Sequence, residues 1–395
     1  MLTCAFDRLP APATADLEPI ENGVLAWEGS TVTYAGPRSG WDGPVDEDLP
    51  GRTVIPGFVD SHTHLPFFGW RDDEFEARLG GTSYAEQHGE GGIGRSARML
   101  AEASDEEVLE FCRPLMSEMA AHGTTALELK TGYGLSLEAE LRQARLARRL
   151  AEEAPQTATV TLLAGHAVPG GMTAEAWLRV ACDELIPTAA GEGLCDAVDV
   201  YVEDMAFTTA DLERVAAAAA GHGLPLRCHA EQLGWTGAAE MAVALGARSA
   251  DHLNHLSPGG TKALGGSRTC AGLLPASTLM LGSRPPPIAA MRSAGAAFTL
   301  ATDLNPGTSP VLSLPEAIAI GCSLYRLSPL EALVAATVNA AWVLGIHEGH
   351  GWLGPGSRAD FVILDAPGFQ MVPYRPGHNP VASTFIGGAR LTEPR

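Results

Sequence analysis

The apolar run Val54-Ile55-Pro56-Gly57-Phe58-Val59-Asp60 ends in Ser61-His62-Thr63-His64. Residues two apart on an extended chain point the same way, so His62 and His64 can bring two imidazoles to one cation from a single rigid element. A lone His-x-His pair is a weak signal, because such pairs arise often by chance. Here His229 and Asp303 stand at the ends of later apolar runs. The four residues make an N3O ligand set suited to one Zn2+ or Fe ion per chain, with room for a water. A metal held that way lowers the pKa of its water and yields hydroxide near neutral pH. The chemistry expected is hydrolysis.

Further ionisable residues fall at or just past other run ends: Tyr133, His166, Glu203 and His252. Burying so many polar groups together without a use would be costly. His252 is placed to donate to a substrate carbonyl and stabilise an oxyanion. Asp303 can also take the proton of the attacking water and deliver it to a leaving nitrogen. Arg71 lies seven residues past His64 in a very acidic chain, which points to a clamp for a substrate carboxylate. Tyr84 and Tyr133 can supply hydroxyls. Lys130 and Glu203 receive no role from the sequence. A two-metal site would need a bridging group after the fourth run, commonly a carbamylated lysine; the chain has Glu203-Asp204 there and no lysine, so one metal is expected, and a bridging carboxylate is the route by which two could be held. His88, His122, His222, His255, His347, His350 and His378 read as turn or surface residues.

The elements that must carry these groups alternate. Eight β-rich runs (54–60, 125–129, 157–164, 198–202, 225–229, 249–252, 269–275 and 297–302) end in polar residues and are followed by helical segments. Eight β-α units in about 300 residues predict an α/β fold of the (β/α)8 barrel kind, whose catalytic groups sit at the C-terminal ends of the strands. A doubly wound sheet would fit the alternation but calls for a glycine-rich phosphate turn after its first strand, where this chain has the histidine pair. Ser104-x-x-Glu107 and Ser328-Pro329-x-Glu331 predict helix starts, Leu137 to Ala151 carries helical spacing, and Gly221-His222-Gly223 predicts a stop. Both chain ends contain short strand-like patches, predicting a small β-sandwich domain from residues 1–55 and 355–395 around a barrel of 56–354.

The 395 residues carry a formal net charge of −21, which argues against nucleic acid and anionic membrane surfaces as partners but allows a small anionic substrate held by a local arginine. Seven scattered cysteines without a Cys-x-x-Cys motif predict reduced thiols. No apolar run reaches about 18 residues and the first residues lack a signal-peptide pattern, so a cytoplasmic protein is expected.

Taken together, Val54–His64, Glu128-Leu129-Lys130-Thr131-Gly132-Tyr133-Gly134-Leu135, Gly165-His166-Ala167, His229-Ala230-Glu231-Gln232-Leu233, Ala250-Asp251-His252-Leu253 and Ala301–Ser309 resemble the imidazolonepropionase family of the amidohydrolase superfamily. The resemblance spans about Val54 to Leu364. It implies hydrolysis of the ring amide of 4-imidazolone-5-propanoate to N-formimidoyl-L-glutamate, a step of histidine degradation, by a homodimer. It implies one Zn or Fe held by His62, His64, His229 and Asp303. It implies substrate contacts from Arg71, Tyr84, Tyr133, His166, Gln232, His252, Asn305, Gly307 and Thr308, with Asp303, His252 and Gln232 nearest the chemistry. The chain departs from the family pattern in the bulky loop Leu65–Arg71, which includes Trp70, in Glu90, and in Leu274–Leu279, which lacks aromatic residues. Those departures leave a related cyclic-amide hydrolase or ring deaminase as the alternative. A catalytically dead scaffold is disfavoured because all four ligands are present.

Overall fold

The computed structural model describes residues 2–3, 18–82, 87 and 91–391. Tyr84, Glu90, His88 and Cys4 lie outside the described residues. Eight parallel strands pair in chain order: Phe58–Asp60, Thr124–Lys130, Thr157–Gly165, Ala197–Val202, Arg227–Ala230, Ser249–His252, Cys270–Leu273 and Phe298–Leu300. The ring closes beyond the strand ends, where Asp303 N donates to His62 O (2.9 Å) and His64 N donates to Leu304 O (2.8 Å). The Asp60 carboxylate reinforces that seam by accepting from Thr302 N (3.1 Å) and Thr302 Oγ1 (2.6 Å). The first strand therefore presents His62 and His64 beside Asp303 of the eighth.

One expected element divides. The run 54–60 reads as a single strand, but Thr53–Pro56 leaves the barrel and pairs antiparallel with Phe361–Leu364, while Phe58–Asp60 pairs with the second barrel strand. Gly57 is the joint. A Cβ there would stand 2.2 Å from Thr125 Oγ1, so only glycine lets the chain pass so close while it changes sheets. Thr53–Pro56, Phe361–Leu364, Val381–Ile386 and Ala389–Arg390 form a four-stranded sheet. The hairpin Gly23–Glu28/Thr31–Pro37 packs against it around Val32, Leu353, Phe361, Ile363 and Phe385. Residues from both ends of the chain thus share one small core.

The helices form where the sequence places their caps. Ser104 and Ser328 each make a full capping box, with Glu107 and Glu331. The helix Leu137–Glu153 buries Leu141, Ala144, Ala147 and Leu150 along one face, as its spacing predicts. Among the histidines expected at the surface, His350 is half-buried, with Nε2 2.9 Å from Thr157 Oγ1 and 3.6 Å from Asp360 Oδ2. It joins the third barrel strand to the small domain. The described cysteines are all free. No helix among the described residues is long and apolar enough to cross a membrane.

The barrel interior departs from the usual packing of branched apolar side chains. Inward positions of the second, fourth, fifth and sixth strands carry Glu128 and Lys130, Asp199 and Tyr201, Arg227 and His229, and Ser249 and Asp251, all buried. Those charges lie directly beneath the histidines.

Candidate active site

Four atoms converge at the mouth of the barrel. His64 Nε2 lies 3.3 Å from His62 Nε2, 3.4 Å from His229 Nε2 and 3.3 Å from Asp303 Oδ1, and His62 Nε2 lies 3.6 Å from Asp303 Oδ1. Each of the four residues is buried. Carboxylates stand behind two of the rings: His62 Nδ1 hydrogen-bonds Asp251 Oδ2 at 2.9 Å, and His229 Nδ1 lies 3.0 Å from Asp199 Oδ2. A carboxylate accepts, so Nδ1 carries the hydrogen and each Nε2 turns a lone pair toward the same point. Lone pairs facing one another across about 3.4 Å repel unless a cation lies between them. Donors bonded at ~2.1 Å to one tetrahedral ion stand ~3.4 Å apart, so the observed spacing fits a metal.

The surrounding charges agree. Lys130 contacts Asp199 and, at 3.2 Å, Glu128, while Arg227 contacts Glu128 and, at 2.9 Å, Asp251. With Asp303, this gives four carboxylates against two cations, an excess of negative charge that a divalent ion would neutralise. Burial, together with the Lys130 charge, holds His62 well below the ordinary imidazole range, and burial and the neighbouring His229 do the same to His64. Both rings are therefore neutral, as ligation requires. Burial opposes ionisation of Asp199, but its neighbours His229 and Lys130 outweigh it and hold the carboxyl well below its usual range. Burial raises Asp303, against the neighbouring His252 and His229 and hydrogen bonds from Ser277 and Asn305.

A cavity opens beside this cluster, lined in part by His64, Arg71, Tyr133, His166, Gln232 and His252. Asp303, Asn305 and Thr308 complete one wall and Tyr201 another. Arg71 is 2 % exposed, and its Nε and Nη1 find no hydrogen-bond acceptor among the described residues. Its nearest charge is Glu74 Oε2, at 3.6 Å. A buried guanidinium with donors to spare beside a cavity is arranged for an anionic ligand. His252 is buried, which pushes its pKa down to about 3, so its ring is neutral at ordinary pH.

Side-chain hydrogen bonds fasten the loops that hold these groups. Glu140 accepts from the backbone N–H groups of Gly132 (2.9 Å), Gly134 (2.8 Å) and Leu135 (2.9 Å). Gln143 accepts from Tyr133 N (2.9 Å) and donates to Pro66 O (2.8 Å). His166 Nδ1 donates to Gly132 O (3.0 Å), and the His166 ring stacks on His64 with centroids 5.3 Å apart. Asn305 Oδ1 accepts from Gly307 N (3.0 Å) and from Thr308 N (2.7 Å), so Asn305 holds its own loop. Glu231, His252, Leu253 and Asp303 all adopt left-handed backbone, with φ of 57°, 78°, 61° and 56°. Non-glycine residues in that region each carry strain of about 1–3 kcal/mol, and such strain gathers at functional sites.

The structure brings together all the predicted site residues it describes: His62, His64, Arg71, Tyr133, His166, His229, Gln232, His252, Asp303, Asn305, Gly307 and Thr308. The predicted Tyr84 lies outside the described residues. Trp70 packs with Phe67 and Phe111, at centroid distances of 5.1 and 5.9 Å, and is not part of the cavity wall. Glu203 accepts from Leu233 N (2.9 Å) and also stands outside that wall. Sequence reasoning missed Tyr201, Asp199, Asp251, Arg227 and Glu128, and gave Lys130 no role. Their signal was present: polar residues two apart with an apolar residue between, as in Glu128-Leu129-Lys130 and Arg227-Cys228-His229.

A parallel barrel with a histidine and carboxylate cluster at its mouth defines the amidohydrolase class, and the amidohydrolase family matches residues 53–391 of the chain. The imidazolonepropionase of Pseudomonas aeruginosa (strain UCBPP-PA14) is 42% identical over 355 residues, 88% of each protein. That of Rhizorhabdus wittichii is 40% identical over 388 residues, 96% of this chain and 97% of the relative. Among solved structures, an adenosine deaminase from Xanthomonas campestris superposes with a TM-score of 0.72 at 18% identity, covering 97% of this chain and 90% of its own, a likeness of fold. The chain belongs to the imidazolonepropionase family.

Proposed function

We propose that the protein hydrolyses the ring amide of 4-imidazolone-5-propanoate to N-formimidoyl-L-glutamate, the histidine-degradation step of its family. One observation carries the residue assignment: His64 Nε2 lies within 3.4 Å of His62 Nε2, His229 Nε2 and Asp303 Oδ1, beside a cavity lined by a buried arginine whose Nε and Nη1 meet no acceptor among the described residues. His62, His64, His229 and Asp303 would hold one divalent ion, Zn2+ or Fe, since this donor set suits both. When bound, the ion supplies Lewis-acid activation of water and of the substrate carbonyl.

The rest falls to the chain. Arg71 takes the propanoate carboxylate and so fixes which end of the substrate faces the cluster. Tyr133 and His166, with ring centroids 5.2 Å apart, bound the space for the heterocycle. Gln232 offers an amide to the ring N–H and carbonyl, and Thr308 a hydroxyl. Neutral His252 donates to the carbonyl oxygen as negative charge grows on it. Asp303 accepts the proton of the water that attacks the ring carbonyl. As the C–N bond breaks, the same proton passes to the departing nitrogen. The ring carbonyl becomes a carboxylate and the nitrogen stays in the formimidoyl group, so one water is consumed. Asn305 and Gly307 serve by shaping the loop.

Metal-replete protein is expected to deplete the absorbance of 4-imidazolone-5-propanoate and to form N-formimidoyl-glutamate, identified by mass, with kcat/KM of roughly 10^4 M−1 s−1 or more. Protein holding about one metal per chain that leaves this substrate intact would sink the substrate assignment and keep the hydrolase.

A further inference from the structure

His62 and His229 reach the centre from different strands, yet the groups behind them trace back to one side chain. Asp251 Oδ2 receives His62 Nδ1 and Arg227 Nη2, each at 2.9 Å. Asp199 Oδ2 lies 3.0 Å from His229 Nδ1 and also receives Lys130 Nζ. Glu128 joins the two halves. Its Oε1 accepts from Arg227 Nη1 and from Thr161 Oγ1, and its Oε2 stands 3.2 Å from Lys130 Nζ. Glu128, Lys130 and Asp199 are fully buried, and Arg227 and Asp251 are 1 % exposed, so bulk water does not screen any member.

In such a place a charge must be met by its neighbours. Each cation divides itself between Glu128 and one aspartate. Each aspartate in turn divides one oxygen between that cation and an imidazole. Without the Glu128 charge, Lys130 and Arg227 would draw wholly on Asp199 and Asp251. The carboxylates would then shift toward the cations and accept less strongly from the rings.

We propose that Glu128 is a positioning residue for both His62 and His229, holding their Nε2 lone pairs on the centre through Lys130–Asp199 on one side and Arg227–Asp251 on the other. This inference rests on the reading that His62, His64, His229 and Asp303 hold a divalent ion. Loss of Glu128 would disturb two ligands at once, whereas loss of Asp199 or Asp251 would disturb one each.

The test uses full-length metal-free protein titrated with Co2+ against a competing chelator, with the visible spectrum of the cobalt form as a readout apart from activity. The wild type is expected to take up one Co2+, and E128Q to bind it 10- to 100-fold more weakly with a changed spectrum. Adding D251N or D199N to E128Q should then cost less than either costs alone, because the path is already broken. E128Q that binds Co2+ like the wild type, or losses that simply add, would overturn the proposal. Should E128Q fail to fold, Thr161→Val removes only the hydroxyl that holds Glu128. A weaker shift in the same direction supports the proposal, and an unchanged affinity overturns it. Wild-type protein that takes up no Co2+ would instead remove the metal reading on which the inference stands.

Discussion

Arg71 and Gly307 share a boundary with no room for a methyl group: a Cβ on Gly307 would stand 1.8 Å from Arg71 Nη2. Gly307 cannot step aside, because its N–H is held by Asn305 Oδ1 (3.0 Å) and its carbonyl accepts from Arg78 Nη2 (2.7 Å). Gly307→Ala must therefore move the guanidinium. The expected result is a rise of KM by about tenfold or more with metal content unchanged, a loss of uniform substrate binding. Steady-state kinetics beside metal analysis checks it, and an unaltered KM would separate Arg71 from the substrate.

Removing the guanidinium itself should cost more. Arg71→Met takes away a charge-assisted contact worth about 1.5–3 kcal/mol, which predicts a fall in kcat/KM of roughly 10- to 100-fold or beyond. An analogue without the propanoate carboxylate should be turned over equally poorly by both proteins. If the variant loses as much on that analogue, Arg71 acts on something other than the carboxylate.

Asp303 supplies the carboxylate oxygen of the four-atom cluster, 3.3 Å from His64 Nε2. Asp303→Ala is expected to lower bound metal from about one per chain to a small fraction, measured by elemental analysis after purification without chelators. Retention of a full equivalent would take Asp303 out of the ligand set. About two per chain in the wild type would refute the single-ion reading.

Glu140 meets three backbone donors of the loop that carries Tyr133. Glu140→Gln halves the acceptors and turns an amide N–H toward a donor, at a cost of about 1–3 kcal/mol. Thermal unfolding should fall by several degrees, and KM should rise as Tyr133 loses its fixed place. A variant as stable as the wild type would show that the loop is held by Gln143 alone.

The pH dependence of stability has a sign that His252 sets in part. Its folded pKa is depressed to about 3, below the ordinary imidazole value of 6.5. Between those limits the unfolded chain binds the extra proton, so lowering the pH from 6.5 toward 3 destabilises the native state by up to about 1.4 kcal/mol per unit through this group. Metal-free His252→Asn should lose stability less steeply than the metal-free wild type as the pH falls from 6.5 to 4.5. Chemical denaturation at several pH values measures the difference, and parallel curves would show that the ring is protonated in the folded protein.

What the sequence determined by itself was local or periodic. Eight apolar runs ending in polar residues gave the barrel, the i, i+2 spacing of His62 and His64 put two imidazoles on one side of a strand, and serine-glutamate pairs marked helix starts. His229 and Asp303 could be nominated because a barrel gathers its strand ends, whatever their separation along the chain. Only the tertiary structure decided the rest. The division of 54–60 at Gly57 depends on Thr125 pressing against it, a contact between strands. That Asn305 and Gly307 also brace their own loop depends on neighbours at Thr308, Arg71 and Arg78. The interior network of Glu128, Lys130, Asp199, Arg227 and Asp251 was visible as alternating polar residues, but which cation meets which carboxylate is fixed by strand order and register. Ionic pairing in a barrel joins residues up to a hundred positions apart, and its energy depends on distance and burial, which appear only when the chain is closed.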